Sequence, residues 1–217
     1  MAFATITHSA PDWAEDSAVP ASKTLVLAIT GASGSIFAVQ TLRALERDPR
    51  VRRVHLIVSP SALRVLAEES GISARNSILE KLLGRPSEKT TLLAHEDIGA
   101  PIASGSYPVD AMIVLPCSMG TLASIANGLA SNLIHRAADV CLKERRPLVL
   151  CIRETPFNLI HIRNMATATE AGATIFPVIP TFYNQPTSLE EIARNYIHRV
   201  LQHIGLPQAN AYVWGNE

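Results

Sequence analysis

Thr24-Leu-Val-Leu-Ala-Ile-Thr30, followed at once by Gly31-Ala32-Ser33-Gly34 and then by Ser35-Ile-Phe-Ala-Val-Gln-Thr-Leu-Arg-Ala-Leu-Glu-Arg47, is the stretch that decides the fold. A short, almost wholly apolar run has the length of a buried strand, and the 3.6-residue spacing after it predicts a helix over Ser35–Arg47. Strand, glycine turn and helix open an α/β unit. The same alternation continues outward. Strands are predicted at Val54–Val58, Ala111–Leu115, Leu148–Ile152 and Ala173–Val178. Helices are predicted at Ser61–Glu69, Ser118–Asn127, Ala130–Arg145 (ended by Pro147), Leu159–Ala171 and Leu189–Ile204. Residues 71–107 give a weaker pattern, with one helix around Asn76–Leu83. Apolar strands alternating with amphipathic helices specify a parallel sheet covered on both faces. The expected fold is α/β: a single doubly wound domain, Rossmann- or flavodoxin-like, with a mostly parallel sheet. It should occupy residues 23–207, between a flexible tail over 1–22 and a short C-terminal tail over 208–217.

Composition bounds the partners. The 217 residues are 47% hydrophobic, enough for a sizeable core without disulfides or a structural metal. Nineteen basic and nineteen acidic side chains give zero formal net charge, which advertises neither a nucleic acid nor an anionic membrane. Cys117, Cys141 and Cys151 are odd in number and form no C-x-x-C pair, which suits a reducing compartment. There is no basic-then-apolar leader pattern and no apolar stretch of bilayer length, so a cytoplasmic location is expected.

In open parallel sheets, ligands bind beyond the carboxyl ends of the strands. Four strand ends here carry unusual residues: Gly31–Ser35, Ser59-Pro60, Pro116-Cys-Ser-Met-Gly-Thr121 and Arg153-Glu154. The glycine turn lets backbone approach a ligand, and the helix after it offers unpaired N–H groups to a phosphate. An ordinary turn with Ser33 as its cap explains the same residues equally well. Ile36 stands where a third dinucleotide-fingerprint glycine would be, and Ser59 where an NAD ribose would meet an acid. No G-K-[ST] follows the turn. A mononucleotide is therefore favoured over a dinucleotide or a nucleoside triphosphate.

The Arg153-Glu154 pair puts both signs at the ligand edge, where arginine can clamp an anion and the carboxylate can move a proton. Ser118 and Thr121 open a helix, where capping is their ordinary role. Lys143-Glu144-Arg145-Arg146 reads mainly as a solvated helix end, and Tyr183 as a loop aromatic. The seven histidines show no metal spacing, so no metal site is expected.

Taken together, Thr30–Ser35, Ala103-Ser-Gly-Ser106, Pro116–Thr121, Arg136-Ala-Ala-Asp139, Leu142–Pro147, Arg153-Glu-Thr-Pro156 and Phe182-Tyr183 resemble the UbiX-like flavin prenyltransferases, over about Lys23–Pro207. The resemblance implies a metal-independent enzyme that joins the dimethylallyl group of dimethylallyl monophosphate to reduced FMN, a co-substrate, at flavin nitrogen 5 and carbon 6. The prenylated FMN would serve a UbiD-type decarboxylase. On the matching positions, the resemblance places FMN against Gly31, Ala32, Ser33, Ser59, Ser118, Met119, Gly120, Thr121 and Arg153. It places the donor phosphate among Lys143, Glu154, Tyr183 and Arg199, with Arg136 also lining the site. It further implies a homo-oligomer, often a dodecamer, with sites at subunit interfaces. The physics of an allylic C–O cleavage fits these roles: Lys143 and Arg199 stabilise the leaving anion, Tyr183 donates a hydrogen bond to it, and Glu154 relays a proton. Two positions depart from the pattern: Asn184, often histidine in relatives, and Ile98, aromatic in some.

Two rivals share the flavin. An FMN-dependent decarboxylase of cysteine-type substrates would carry a P-A-S-A-N-T-like segment and a P-x-M-N-x-x-M-W clamp. Here Pro116–Thr121 replaces the first, and the second is absent. A non-catalytic FMN carrier would have no use for a donor-phosphate set.

Overall fold

The computed structural model describes residues 22–72, 77–213 and 215. The tail expected over 1–22 lies outside them except for Ser22, as does Asn76 at the start of one expected helix. Six strands form one sheet: β1 (Lys23–Ile29), β2 (Val51–Val58), β3 (Thr90–Leu93), β4 (Ala111–Cys117), β5 (Leu148–Ile152) and β6 (Thr174–Ile175). Their order is β3-β2-β1-β4-β5-β6 and every pairing is parallel. The helices are α1 (Ser35–Arg47), α2 (Pro60–Ser70), α3 (Ile78–Leu83), α4 (Met119–Ala126), α5 (Leu133–Lys143), α6 (Leu159–Glu170) and α7 (Leu189–His203). The chain reverses direction across the sheet between β1 and β4, which is where a doubly wound fold opens its ligand crevice.

The two-residue period of β1 sorts its side chains between two cores. Leu25, Leu27 and Ile29 face a cluster with Leu42 and Leu45 of α1 and Ile197 and Leu201 of α7. Val26 and Ala28 face the other cluster, with Leu122 of α4, Ile134 and Ala138 of α5 and Ala168 of α6. Both faces of the central strands are thus buried, as their continuous apolar sequence demands. Cys117, Cys141 and Cys151 are free, buried thiols within these cores.

Several boundaries differ from the sequence expectation. Strand β2 begins three residues early, because pairing with β1 extends through exposed Arg52 and Arg53 to Val51. The edge strand β3 and a 3-10 turn over Pro101–Ala103 were not anticipated in residues 71–107; four residues on an edge carry too short a pattern. Helix α5 starts at Leu133, after Asn132 caps it by accepting from the His135 amide, and stops before Arg145, whose φ is +56°. Strand β6 is cut to two residues. Pro177 has no N–H for a ladder, although Phe176 and Val178 still donate to Leu150 and Ile152 carbonyls.

Candidate active site

The carboxyl ends of β1, β2, β4 and β5 are tied to one another by hydrogen bonds. The Thr30 hydroxyl donates to the Pro116 carbonyl at 2.7 Å and accepts from the Ser118 amide at 2.8 Å. The Ser59 amide donates to the Ile29 carbonyl, and the Arg153 amide to the Cys117 carbonyl. The Arg153 Nε reaches the Ser33 carbonyl at 3.2 Å. The structure therefore gathers Gly31–Ser33, Ser59, Ser118–Thr121, Arg153 and Glu154 along one edge, which strand-end reasoning anticipated.

Two helices open onto this edge with serine caps. Ser59 Oγ accepts from the Ala62 amide at the start of α2, and Ser118 Oγ from the Thr121 amide at the start of α4. Met119 and Thr121 are buried, so what they can offer a ligand is backbone, while Gly120 beside them is exposed. Helix starts of this kind carry N–H groups and a positive dipole end suited to a phosphate. Gly31 has no room for a side chain: a Cβ there would lie within 2.5 Å of Ser61 Cβ. A flavin mononucleotide fits this donor set, which pairs anion-binding helix starts with closely approachable backbone at the Gly31 turn.

The start of α1 behaves differently from expectation. Gly34 takes the left-handed conformation with φ +111° and gives no side-chain cap. Its amide and that of Ser35 donate to the Glu69 carboxylate of α2, the latter at 2.8 Å. Burial raises the Glu69 pKa, but hydrogen bonds from the Ser33 hydroxyl and from Ser35 and Gly34 outweigh it and hold the group below its ordinary value. The helix N–H groups that sequence reasoning assigned to a ligand phosphate are thus engaged by a carboxylate. This leaves α2 and α4 as the open helix starts. Sequence offered no signal for Glu69, since its partner lies 34 residues away.

The donor-side residues fall in three places. Glu154 follows Arg153 at the end of β5, its carboxylate accepting from the Thr155 amide at 3.0 Å. Tyr183 and Arg199 line a separate cavity of about 240 Å³ with Thr181, Asn195, His198 and Tyr212. Lys143 ends α5, five residues before β5 begins, and so sits at the amino edge of the sheet. There it pairs with Glu144 beside Gly105, while Arg136 Nε donates to the Ala103 carbonyl and its Nη1 meets Asp139 at 2.7 Å. The Lys143 carbonyl end and Arg153 are separated by the length of β5, about 17 Å at 3.3 Å per residue. Within one subunit Lys143 does not join the strand-end site. Among the described residues no group of three or more His, Cys, Asp or Glu is placed to hold a metal, and no helix is long and apolar enough to cross a membrane.

Strand ends and capped helices in this order define a nucleotide-binding α/β protein. Residues 15–198 match the family model described as Flavoprotein. Flavin prenyltransferase UbiX of Pseudomonas aeruginosa is 40% identical over 89% of this chain and 94% of its own. A probable UbiX-like flavin prenyltransferase of Bacillus subtilis is 44% identical over 88% of each. The crystal structure of AnUbiX (PadA1) in complex with FMN and dimethylallyl pyrophosphate superposes with a TM-score of 0.80 at 39% identity, covering 90% of this chain and 99% of that one. A dodecameric FMN-dependent UbiX-like decarboxylase from Escherichia coli O157:H7 gives 0.79 at 39%, covering 88% and 98%. The chain belongs to the UbiX-like flavin prenyltransferase family. The FMN-dependent cysteine decarboxylase TvaF, at 18% identity and a TM-score of 0.54, shares the fold alone.

Proposed function

We propose that this protein transfers the dimethylallyl group of dimethylallyl monophosphate to reduced FMN, yielding prenylated FMN for a UbiD-type decarboxylase. The observation that carries this reading is the Arg153-Glu154 pair at the end of β5, where Arg153 Nε donates to the Ser33 carbonyl and Glu154 follows it. A cofactor carrier has no use for a proton-moving carboxylate there. When bound, reduced FMN supplies the nucleophilic nitrogen and the ring carbon at which the new bonds form.

The protein's own residues do the rest. Gly31, Ala32 and Ser33 present backbone to the flavin, while Ser59 and the Ser118–Thr121 helix start hold its phosphate. Arg153 holds flavin oxygens, and Glu154 takes and returns the proton exchanged as the ring is substituted. Tyr183 and Arg199 bind the donor phosphate, and with Lys143 they stabilise the charge that grows on it as the allylic C–O bond breaks.

Because Lys143 is a strand length away from Glu154, this reading requires a neighbouring subunit to supply it. Exposed Phe157, Leu159, Ile160 and Ile162 around α6, with Ile179 and Phe182 before α7, support burial against other copies. Such an interface also excludes water from an allylic cation. A homo-oligomer, dodecameric as in the E. coli relative, follows.

Anaerobic incubation with reduced FMN and dimethylallyl monophosphate tests the proposal. The flavin should gain one C5H8 unit by mass spectrometry, with release of stoichiometric phosphate. Unmodified flavin without phosphate release would refute it.

A further inference from the structure

Residues 104–107 run between the 3-10 turn and β4, at the amino edge of the sheet. Two arginines hold this loop and the residue before it by their carbonyls. Arg136 Nε donates to the Ala103 carbonyl at 3.0 Å. Arg146 spans the rest: its Nη2 donates to the Gly105 carbonyl at 2.6 Å and its Nη1 to the Tyr107 carbonyl at 2.9 Å. Tyr107 is pinned a second time, since its hydroxyl meets Nε2 of buried His55 on β2 at 2.9 Å. A planar guanidinium fork can bridge two carbonyls in this way, whereas a lysine ammonium is a single point charge on a flexible stem.

The end of α5 is shaped to deliver that fork. Lys143, Glu144 and Arg145 are exposed, as a solvated helix end should be, but Arg146 is half-buried. Arg145 takes the left-handed conformation with φ +56°. Its amide donates to the Leu142 carbonyl at 3.1 Å, and the Arg146 amide to the Cys141 carbonyl at 2.8 Å. Helices that end this way ordinarily place glycine at the left-handed position, because any side chain there is strained. Such strain persists where the surroundings over-determine it. Here the turn carries the chain back at once, and Arg146 meets the loop.

The loop in turn supports Lys143. A Cβ on Gly105 would stand 2.6 Å from Lys143 Nζ and 2.8 Å from the Glu144 carboxyl carbon, so the ammonium rests directly on the backbone that Arg146 holds. We infer that Arg146 is a positioning residue: by bridging the Gly105 and Tyr107 carbonyls it fixes the surface on which Lys143 is presented to the donor phosphate. Arg146 itself touches neither donor nor flavin and acts through Lys143. This role rests on the prenyltransferase reading and deepens it, because an ammonium stabilises a growing anionic charge only when it is held in place beforehand.

Arg146→Lys keeps the charge and loses the bridge, so it tests the role even where Arg146→Ala fails to fold. Its FMN affinity should stay within twofold of the parent, while kcat/KM for dimethylallyl monophosphate falls at least tenfold. In a Lys143→Ala background the same change should lower kcat/KM less than twofold further, because the residue it acts through is already gone. Amide hydrogen exchange across residues 104–107, followed by mass spectrometry, should quicken at least tenfold in Arg146→Lys. Parent-level kcat/KM in Arg146→Lys overturns the inference, as do losses that multiply in the double variant. Unchanged exchange in the loop overturns it too. If the unaltered protein leaves the flavin unmodified, the prenyltransferase reading fails, and the exchange measurement still decides whether Arg146 holds the loop.

Discussion

The Glu69 carboxylate closes the start of α1 from another helix, with the Ser35 amide donating to its Oε2 at 2.8 Å. It performs the work of an N-cap that Gly34, lacking a side chain, does not. Its pKa lies below the ordinary glutamate value, since hydrogen bonds to the ionised form outweigh burial. A depressed carboxylate contributes stability that is present above the unfolded-state pKa and lost as pH falls through the folded one. Glu69→Gln should therefore lower stability at pH 7 by about 0.5–1 kcal/mol, the low end for a cap because the group is largely exposed. Thermal unfolding from pH 7 to 3 should show the difference between variant and parent shrinking below about pH 4.5. A constant difference across that range would show that the charge contributes nothing.

Gly31 and Ser61 are in closer approach than any other residue type at position 31 allows. A methyl group would overlap the Ser61 side chain, whose hydroxyl also touches Ser59 Oγ at 3.1 Å. Gly31→Ala should push α2 away from the turn, costing about 1–3 kcal/mol by overpacking. FMN affinity, measured by fluorescence quenching, should fall at least tenfold. The double variant Gly31→Ala with Ser61→Gly removes the overlap and should recover most of the affinity. Failure of that rescue would mean that a ligand contact, and not the turn, forbids the side chain.

Gly105 plays a comparable part at the amino edge. A Cβ there would stand 2.6 Å from Lys143 Nζ and 2.8 Å from the Glu144 carboxyl carbon. Both neighbours are ends of flexible side chains, so Gly105→Ala should displace the ammonium without unfolding the protein. The expected result is unchanged FMN affinity and melting temperature, with turnover reduced about tenfold through weaker stabilisation of the leaving phosphate. Loss of flavin binding would contradict the separation of the two edges.

The sheet was legible because β1, β4 and β5 are buried on both faces and write that burial as unbroken apolar runs. The same signal located the strand ends, and with them Ser59, Ser118 and Arg153. Strand β3 escaped because Thr90-Thr-Leu-Leu93 is four residues on an edge, with two of them exposed. Glu69 escaped for a different reason. Its partners are set by how α2 meets α1, and no local pattern records helix docking. Lys143 was visible only through the family resemblance, since its own segment looks like any charged helix end.

The distance between Lys143 and Glu154 gives the sharpest test of assembly. Glu154→Gln should retain FMN and slow turnover about 100-fold, the usual cost of losing a proton-transfer group. Lys143→Ala should retain FMN as well, because it lies a strand length from the flavin edge. If each site takes Glu154 from one copy and Lys143 from another, assemblies co-expressed from both variants contain repaired sites. A site is whole when its strand-end subunit is the Lys143→Ala chain and its lysine comes from the Glu154→Gln chain. Random mixing makes that about one site in four, so activity should recover to roughly a quarter of the parent. If both residues acted within a single subunit, no mixed site would be whole, and activity would stay at the level of the separate variants.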